Sequence, residues 1–327
     1  MKTAFVVIVV AAGILAPVSV GAEEPSPEPF ELRDGDRVVF LGGGLIERAQ
    51  KYGHWETMLT ARYPDRKIIF RNLGWEGDTV WAESRGLFDP PAAGYQRMLD
   101  RIKDLQPTVI VLGYGNNEAF AGKEGLEPFI TQYNKLLDDL TKASAEGGRF
   151  VILSPTAHEN HGPGLPNPKQ HNEQLRLYTE TLKHLAAERR IRFIDLFSTI
   201  VSESSGSDHP FQQPEMTNDS AHLNETGYAA AADEIEKQLL LTAKKPTPDT
   251  ADQIEQLRRA IIEKNRLYFH RWRPQNTTYL FGFRKHEQGQ NAAEVAEFEK
   301  LVAEKETEID RLKRPVAHTY ELVPVKE

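Results

Sequence analysis

Short apolar runs alternate with amphipathic stretches along most of the chain. The runs have the length and β-branched content of strands buried on both faces. They are Val38–Leu41, Lys67–Leu73, Thr108–Leu112, Arg149–Leu153 and Arg192–Leu196. Between them, apolar residues recur at helical spacing. The helices predicted in this way are Leu45–Tyr63, Tyr95–Leu105, Leu126–Ala145, Gln170–Arg190 and Thr226–Leu241. This alternation predicts a parallel sheet with helices on both faces.

The pattern changes after residue 243, which divides the chain into a sheet domain (37–243), a proline-rich linker (244–250) and a helical appendage (251–327). The spacing of apolar residues in the appendage predicts two helices, joined by a segment in which aromatic rings alternate with Arg, Asn and Gln. Its apolar content is too low for a core of its own, so we expect it to lie against the sheet domain. Aromatic faces beside polar groups suit sugars, which makes Trp75, Trp272 and Arg273 candidates for substrate binding. An arm that only covers the sheet domain is the alternative.

Residues 1–22 have the pattern of a secretory signal peptide. Lys2 gives a basic start, an apolar run follows to Val20, and small residues end at Ala22. We therefore expect a mature chain with a flexible leader at 23–36, no membrane span, and a secreted or periplasmic location. A retained membrane anchor is the alternative, although the apolar run is short for a span.

Composition narrows the chemistry. The chain contains no cysteine, so it has neither disulfides nor cysteine–metal sites. The net charge of −8 argues against general nucleic-acid binding. The glycine turn after the first strand lacks the third glycine of a dinucleotide site, since Glu47 occupies that position. A metal site at His158 and His161 is a weak alternative, so we expect neither a metal nor another cofactor.

Four segments combine polar residues with a predicted position at the carboxyl edge of the sheet, where open α/β folds bind ligands. They are Gly42-Gly43-Gly44 and the segments at 72–79, 113–118 and 218–222.

The last of these segments places Asp219 three residues before His222. A carboxylate at this spacing can accept a hydrogen bond from one ring nitrogen and leave the other nitrogen as a general base. The alternative is that Asp219 caps the last helix and His222 is a surface residue. The backbone N–H of Gly77 and the side-chain amide of Asn117 are the donor types of an oxyanion hole. The alternative for each of them is a residue of a tight turn.

Taken together, these segments resemble the SGNH (GDSL-type) hydrolase family between Arg37 and Leu241. NLGWEGDTV matches Asn-x-Gly-x-x-Gly-x-Thr, GYGNNEA matches Gly-x-Asn-Asp/Glu, and DSAH matches Asp-x-x-His. The resemblance implies a flavodoxin-like three-layer α/β/α sandwich with a five-stranded parallel sheet. It also implies an esterase, lipase or carbohydrate deacetylase activity on a small-molecule or carbohydrate ester. Gly77 and Asn117 are then the oxyanion donors, and Asp219 and His222 the acid and base of a triad.

The first block departs from the family pattern. The family has Gly-Asp-Ser, with serine as the nucleophile, whereas this chain has glycine at both 43 and 44. The nucleophile position is therefore vacant at Gly44, and no acyl-serine can form there. We expect either hydrolysis by water that His222 and Asp219 activate, or an inactive protein that binds a glycan or acylated ligand. A substitute hydroxyl from Thr79 or Ser84 is a further alternative.

Overall fold

Five parallel strands form the centre of the protein in the order β2-β1-β3-β4-β5. The computed structural model describes residues 29–200, 215–240 and 250–314. The strands are β1 (Arg37–Gly42), β2 (Ile69–Asn72), β3 (Val109–Gly113), β4 (Arg149–Leu153) and β5 (Arg192–Ile194). This is the flavodoxin-like strand order, so the predicted fold class is confirmed.

Helices cover both faces of the sheet. They are α1 (Gly44–Tyr52), α2 (His54–Arg62), α3 (Pro91–Leu105), α4 (Leu126–Ala143), α5 (Lys169–Arg189) and α6 (Glu225–Gln238). Helices α1, α2 and α6 pack together in one layer, and α3, α4 and α5 in the other. The single helix predicted at 45–63 is in fact two helices, because Gly53 adopts a φ of +71° and ends the first of them. None of the described helices is long and apolar enough to cross a membrane.

The direction of chain connection reverses between β1 and β3, the central neighbours of the sheet. The two strands end together, with Gly42 paired to Gly113. A Cβ atom on Gly42 would lie only 2.3 Å from the Gly113 carbonyl oxygen, so no side chain fits there. The close approach brings the loops after β1 and β3 side by side at the edge where such folds bind ligands.

The appendage consists of the long helices α7 (Ala251–Trp272) and α8 (Ala292–Leu312), with short helical turns at Thr277–Leu280, Lys285–Gln288 and Gly289–Asn291 between them. It packs against the sheet domain. Its anchor is Lys264, a side chain that is only 1% exposed. The Lys264 ammonium donates to Glu56 Oε1 at 2.6 Å and to the Phe70 carbonyl at 3.2 Å. Asn265 Nδ2 donates to the other Glu56 oxygen at 3.0 Å. A buried ion pair therefore joins α7 to α2 and β2.

The domain boundaries drawn from the sequence stay predictions. The predicted signal peptide, the first part of the leader and all but the last residue of the linker lie outside the described residues.

We expect Lys264→Ala to lower the free energy of unfolding by about 3–5 kcal/mol, because it leaves the Glu56 carboxylate buried without its partner. Urea unfolding of the full chain measures this loss. Lys300→Ala, on an exposed position of α8, is the matched control and should change stability by about 0.5 kcal/mol or less. The double variant Lys264→Met, Glu56→Gln removes both charges and should recover much of the loss. Equal stability of Lys264→Ala and Lys300→Ala would show that the Lys264–Glu56 ion pair does not anchor the appendage.

Candidate active site

The four predicted segments meet at the carboxyl edge of the sheet. Gly42–Gly44 joins β1 to α1, and residues 72–79 and 113–118 leave β2 and β3. The fourth segment, 218–222, is a hairpin immediately before α6, closed by a bridge between Thr217 and Leu223. Direct contacts between these segments, described below, place the predicted catalytic and oxyanion residues in one area.

Asp219 and His222 form the predicted pair, with His222 Nδ1 2.7 Å from Asp219 Oδ2. The other Asp219 oxygen accepts the backbone N–H of His222 at 2.9 Å, so the carboxylate is fixed within its own turn. Burial favours a higher pKa for Asp219, but the hydrogen bonds from His222 outweigh it and the pKa falls below its ordinary value. The residue that caps α6 is Asn224, whose side chain accepts from the Gly227 N–H. The alternative in which Asp219 caps this helix is therefore wrong.

The segment that contains His158 and His161 braces the hairpin. Glu159 accepts the backbone N–H of Met216 at 3.0 Å and the Thr217 hydroxyl at 2.6 Å. His161 Nε2 lies 2.7 Å from the same hydroxyl. Both contacts fix the strand that leads into Asp219, which gives this segment a structural role.

His158 lies on the other side of that segment, with its ring centroid 4.7 Å from that of His171. Burial, followed by the nearby charges of His171 and His222, lowers the pKa of His158 to about 4, so its ring is neutral at neutral pH. Within the described part of the chain, no group of three or more His, Asp or Glu side chains is arranged to hold a metal ion.

Gly77 and Asn117 lie on adjacent loops. Asn117 Nδ2 donates to the Asp78 carbonyl at 2.8 Å, which leaves its second hydrogen for another acceptor. Gly77 adopts a φ of +74°, a left-handed conformation that favours glycine. Among the described residues, the Gly77 N–H has no protein acceptor. The two groups therefore retain donors that a bound oxyanion can use.

The hydroxyl groups of Thr79 and Ser84 are engaged in the turn around Gly77. Ser84 donates to the Gly77 carbonyl at 2.9 Å, and Thr79 donates to Glu83 at 3.1 Å. These bonds give both hydroxyls a structural partner.

Glu118 joins the loops that carry Gly77 and Asn117. Its carboxylate oxygens accept the backbone N–H groups of Val80 at 2.9 Å and of Gly115 at 2.8 Å. The side chain is almost fully buried, and burial raises the pKa of Glu118 to about 7 even though these hydrogen bonds favour the ion. Sequence reasoning treated Glu118 only as part of the family pattern and missed this role.

Gly44, the predicted nucleophile position, is the first residue of α1 and differs from Gly42 in its surroundings. A Cβ atom on Gly44 would be 3.4 Å from Glu76 Oε1, an ordinary contact distance. Packing therefore requires glycine at 42 but accepts a small side chain at 44. The assignment of Gly44 as a lost nucleophile stays a prediction.

Glu76 is the residue that sequence reasoning missed. Its Oε1 atom lies 3.5 Å from His222 Nε2 and accepts from Arg48 Nε at 2.9 Å and from a terminal nitrogen of Arg48 at 2.8 Å. The Glu76 carboxylate therefore lies next to Gly44 and close to Nε2 of His222, the ring nitrogen that Asp219 does not contact. The only signals in the sequence were its place next to Gly77 and an arginine one helical turn after Gly44.

The three predicted substrate-binding residues lie together beside this carboxylate. The guanidinium carbon of Arg273 is 3.6 Å from the ring centroid of Trp75, and the Trp75 and Trp272 centroids are 5.9 Å apart. Arg273 also donates to Glu47 Oε2 at 2.6 Å, and the same oxygen accepts the backbone N–H of Glu76 at 2.6 Å. The appendage is therefore joined to the loop that carries Glu76.

A cavity of about 610 Å³ opens between this loop, α3 and the appendage. Trp75, Trp272 and Arg273 form part of its wall, and the exposed rings of Phe88 and Phe283 form another part. Its size and its mixture of aromatic and charged groups are typical of a small-molecule site.

Comparisons with known proteins identify the family and the fold. The model of the GDSL-like lipase/acylhydrolase family matches residues 35–230, more than half of the chain. A solved structure described as a GDSL-like lipase from Parabacteroides merdae has a TM-score of 0.53 at 15% identity, covering 66% of this chain and 100% of its own. A catalytic mutant of an acetylxylan esterase from Geobacillus stearothermophilus has a TM-score of 0.50 at 15% identity, covering 64% and 96%. These identities show the fold alone.

A further structural match is described as a gut microbial diltiazem-metabolizing enzyme, with a TM-score of 0.48 at 20% identity. This chain covers only 48% of that protein's length. No curated protein sequence matches the chain.

Stability should fall as the pH rises through the titration range of Glu118. Because its pKa is raised from 4.5 to about 7, the folded state binds more protons than the unfolded state between these values. Ionisation then removes on the order of 3 kcal/mol of stability. Urea unfolding from pH 4.5 to 8 measures this slope, and Glu118→Gln, which cannot titrate, should lack this component. Parallel pH profiles for the two proteins would contradict the assignment.

Proposed function

The chain belongs to the GDSL-like lipase/acylhydrolase family, and from that membership we propose that it hydrolyses a small-molecule or carbohydrate ester with water as the nucleophile. The observation that carries the proposal is the position of His222. Its Nδ1 atom is held by Asp219 at 2.7 Å, and its Nε2 atom lies 3.5 Å from Glu76 Oε1, which borders the space beside Gly44. A water in this space is next to a general base at the position where the family has serine.

The reaction follows from this geometry. The water oxygen attacks the ester carbonyl while His222 Nε2 takes one of its protons. The Gly77 N–H and the Asn117 amide stabilise the negative oxygen of the tetrahedral intermediate. When the intermediate collapses, the ester C–O bond breaks and the alcohol leaves with the proton from His222. Asp219 keeps the ring in the required tautomer and stabilises its positive charge.

The substrate class that we propose is an ester of a carbohydrate, whose sugar would bind in the cavity next to the catalytic groups. Trp272 and the exposed Phe283 offer aromatic faces for the apolar faces of sugar rings, whereas one face of Trp75 is covered by Arg273. The Arg273 side chain lines the same wall and can donate to sugar hydroxyls. The acetylxylan esterase noted above shares the fold, which supports this class of substrate without identifying it.

A catalytically inactive protein that binds a glycan or an acylated ligand is the second candidate. It is favoured by the absence of a hydroxyl at Gly44 and by the Glu76 carboxylate, which stands beside that residue. In this case the cavity binds its ligand and no bond is broken.

We also propose that the protein acts outside the cytoplasm, in a periplasm or after secretion. The support for this location is the signal-peptide pattern at residues 1–22.

If His222 is the base, His222→Ala should lower kcat on the order of 10²- to 10⁴-fold. We would measure release of acetate from acetylated xylo-oligosaccharides and of p-nitrophenol from short acyl esters. His184→Ala, which changes an exposed histidine on α5, is the matched control and should be as active as the wild type. Turnover that persists in His222→Ala would contradict the mechanism. A wild-type protein that binds acetylated sugars without turnover would favour the second candidate.

Gly44→Ser should increase esterase activity, because it adds a hydroxyl beside groups that are already in place. The new side chain fits, since a Cβ atom there makes only an ordinary contact with Glu76. A fluorophosphonate probe should label position 44 covalently, as mass spectrometry of the peptide can show. Gly44→Ala fills the same space without a hydroxyl and should be neither labelled nor activated. A folded Gly44→Ser protein that stays inert would show that Asp219, His222 and Asn117 are not positioned for catalysis.

A further inference from the structure

Two hydrogen-bond acceptors lie close together near Gly44. One is His222 Nε2, which becomes an acceptor when Nδ1 donates to Asp219, and the other is Glu76 Oε1 at a distance of 3.5 Å. One water molecule can donate to two acceptors at this separation and remain within ordinary hydrogen-bond length of both. A Cβ atom on residue 44 would lie 3.4 Å from Glu76 Oε1, so a serine at this position would be close to one of the two acceptors.

The Glu76 carboxylate is held in position from several sides. Arg48, on α1, donates to Oε1 through two nitrogens at 2.9 and 2.8 Å. The Glu76 backbone N–H donates to Glu47 at 2.6 Å, and Arg273 of the appendage donates to the same Glu47 oxygen at 2.6 Å. The side chain is about 39% exposed, so a water can reach it from solvent. This is a fixed carboxylate with its charge balanced by Arg48.

We propose that Glu76 is a catalytic residue that replaces the missing serine as the anchor of the nucleophile, by sharing the attacking water with His222. The inference rests on the proposed function and adds a residue to it. A hydroxyl on the chain is held in place covalently, whereas a free water must be oriented by its hydrogen bonds before it can attack. With His222 as the only acceptor, the water could rotate about one bond. With Glu76 as the second acceptor, its oxygen lone pair is directed at the substrate.

The proton balance assigns different roles to the two acceptors. During attack, the O–H bond that points at His222 breaks, its proton moves to Nε2, and the new C–O bond forms. The π electrons of the carbonyl move to the oxygen that Gly77 and Asn117 stabilise. The second O–H bond stays intact and donates to Glu76, which remains ionised. On collapse the alcohol leaves with the proton from Nε2, and the acid product loses its proton to solvent.

The decisive variant is Glu76→Gln, which keeps the shape of the side chain and removes its charge. We expect kcat to fall on the order of a hundredfold with little change in KM, because the side chain orients water and not the substrate. Glu188→Gln makes the same chemical change at an exposed carboxylate on α5 and should leave both constants unaltered. Glu76→Asp withdraws the carboxylate by one methylene, and its kcat should lie between that of Glu76→Gln and that of the wild type. Urea unfolding of each variant identifies any loss of activity that is due to misfolding.

Two further measurements separate this inference from its alternatives. A crystal structure of the wild type should show one water within about 3.2 Å of both His222 Nε2 and Glu76 Oε1. A single turnover in ¹⁸O-labelled water should place the label in the acid product and none in the peptide that contains Glu76. Label in that peptide would show that Glu76 attacks the ester itself and would overturn the shared-water role.

The outcomes distinguish a failure of this inference from a failure of the proposed function. An active wild type with an equally active or faster Glu76→Gln variant overturns the role of Glu76 alone. A wild type that is inactive on every ester, while Gly44→Ser is active, overturns hydrolysis by water and the role of Glu76 together.

Discussion

The carboxylate of Glu118 accepts one backbone hydrogen bond from the loop after β2 and one from the loop after β3. These loops carry Gly77 and Asn117, so this buried side chain, together with the hydrogen bond from Asn117 to the Asp78 carbonyl, holds the two proposed oxyanion donors close to each other. Burial disfavours the ionised form of this carboxylate, although the ionised form is the better hydrogen-bond acceptor. Forming the contact therefore has a cost in desolvation free energy. The remaining groups of the candidate site are arranged around the frame that this contact provides.

The sheet and the Asp219–His222 pair could be predicted from the sequence because both depend on near neighbours in the chain. Buried strands are visible as short apolar runs, and their alternation with helices leaves few topologies. The pair lies within one hairpin, so a spacing of three residues is enough to bring the carboxylate to the ring. The bracing of that hairpin by Glu159 could not be predicted, since it joins residues 57 positions apart.

Glu76 could not be predicted for a related reason. Its position opposite His222 depends on the path of the loop after β2, and on Arg48 of α1, which directs the carboxylate towards Gly44. The family pattern predicted a missing side chain at Gly44, but the sequence contained no sign of which neighbouring group lies there. The same limit applies to Lys264, whose partner Glu56 is 208 positions away.

The ion pair between Arg273 and Glu47 joins the appendage to the region that matches the family model. The region that matches the family ends at residue 230, yet the backbone of Glu76 is supported by a side chain 43 positions later. The segment that matches the family model is therefore shorter than the segment that builds the candidate site. A chain trimmed to the family domain would keep every family motif and still lose one wall of the cavity. In this protein a substitution of Arg273 would therefore reach the loop after β2 through Glu47.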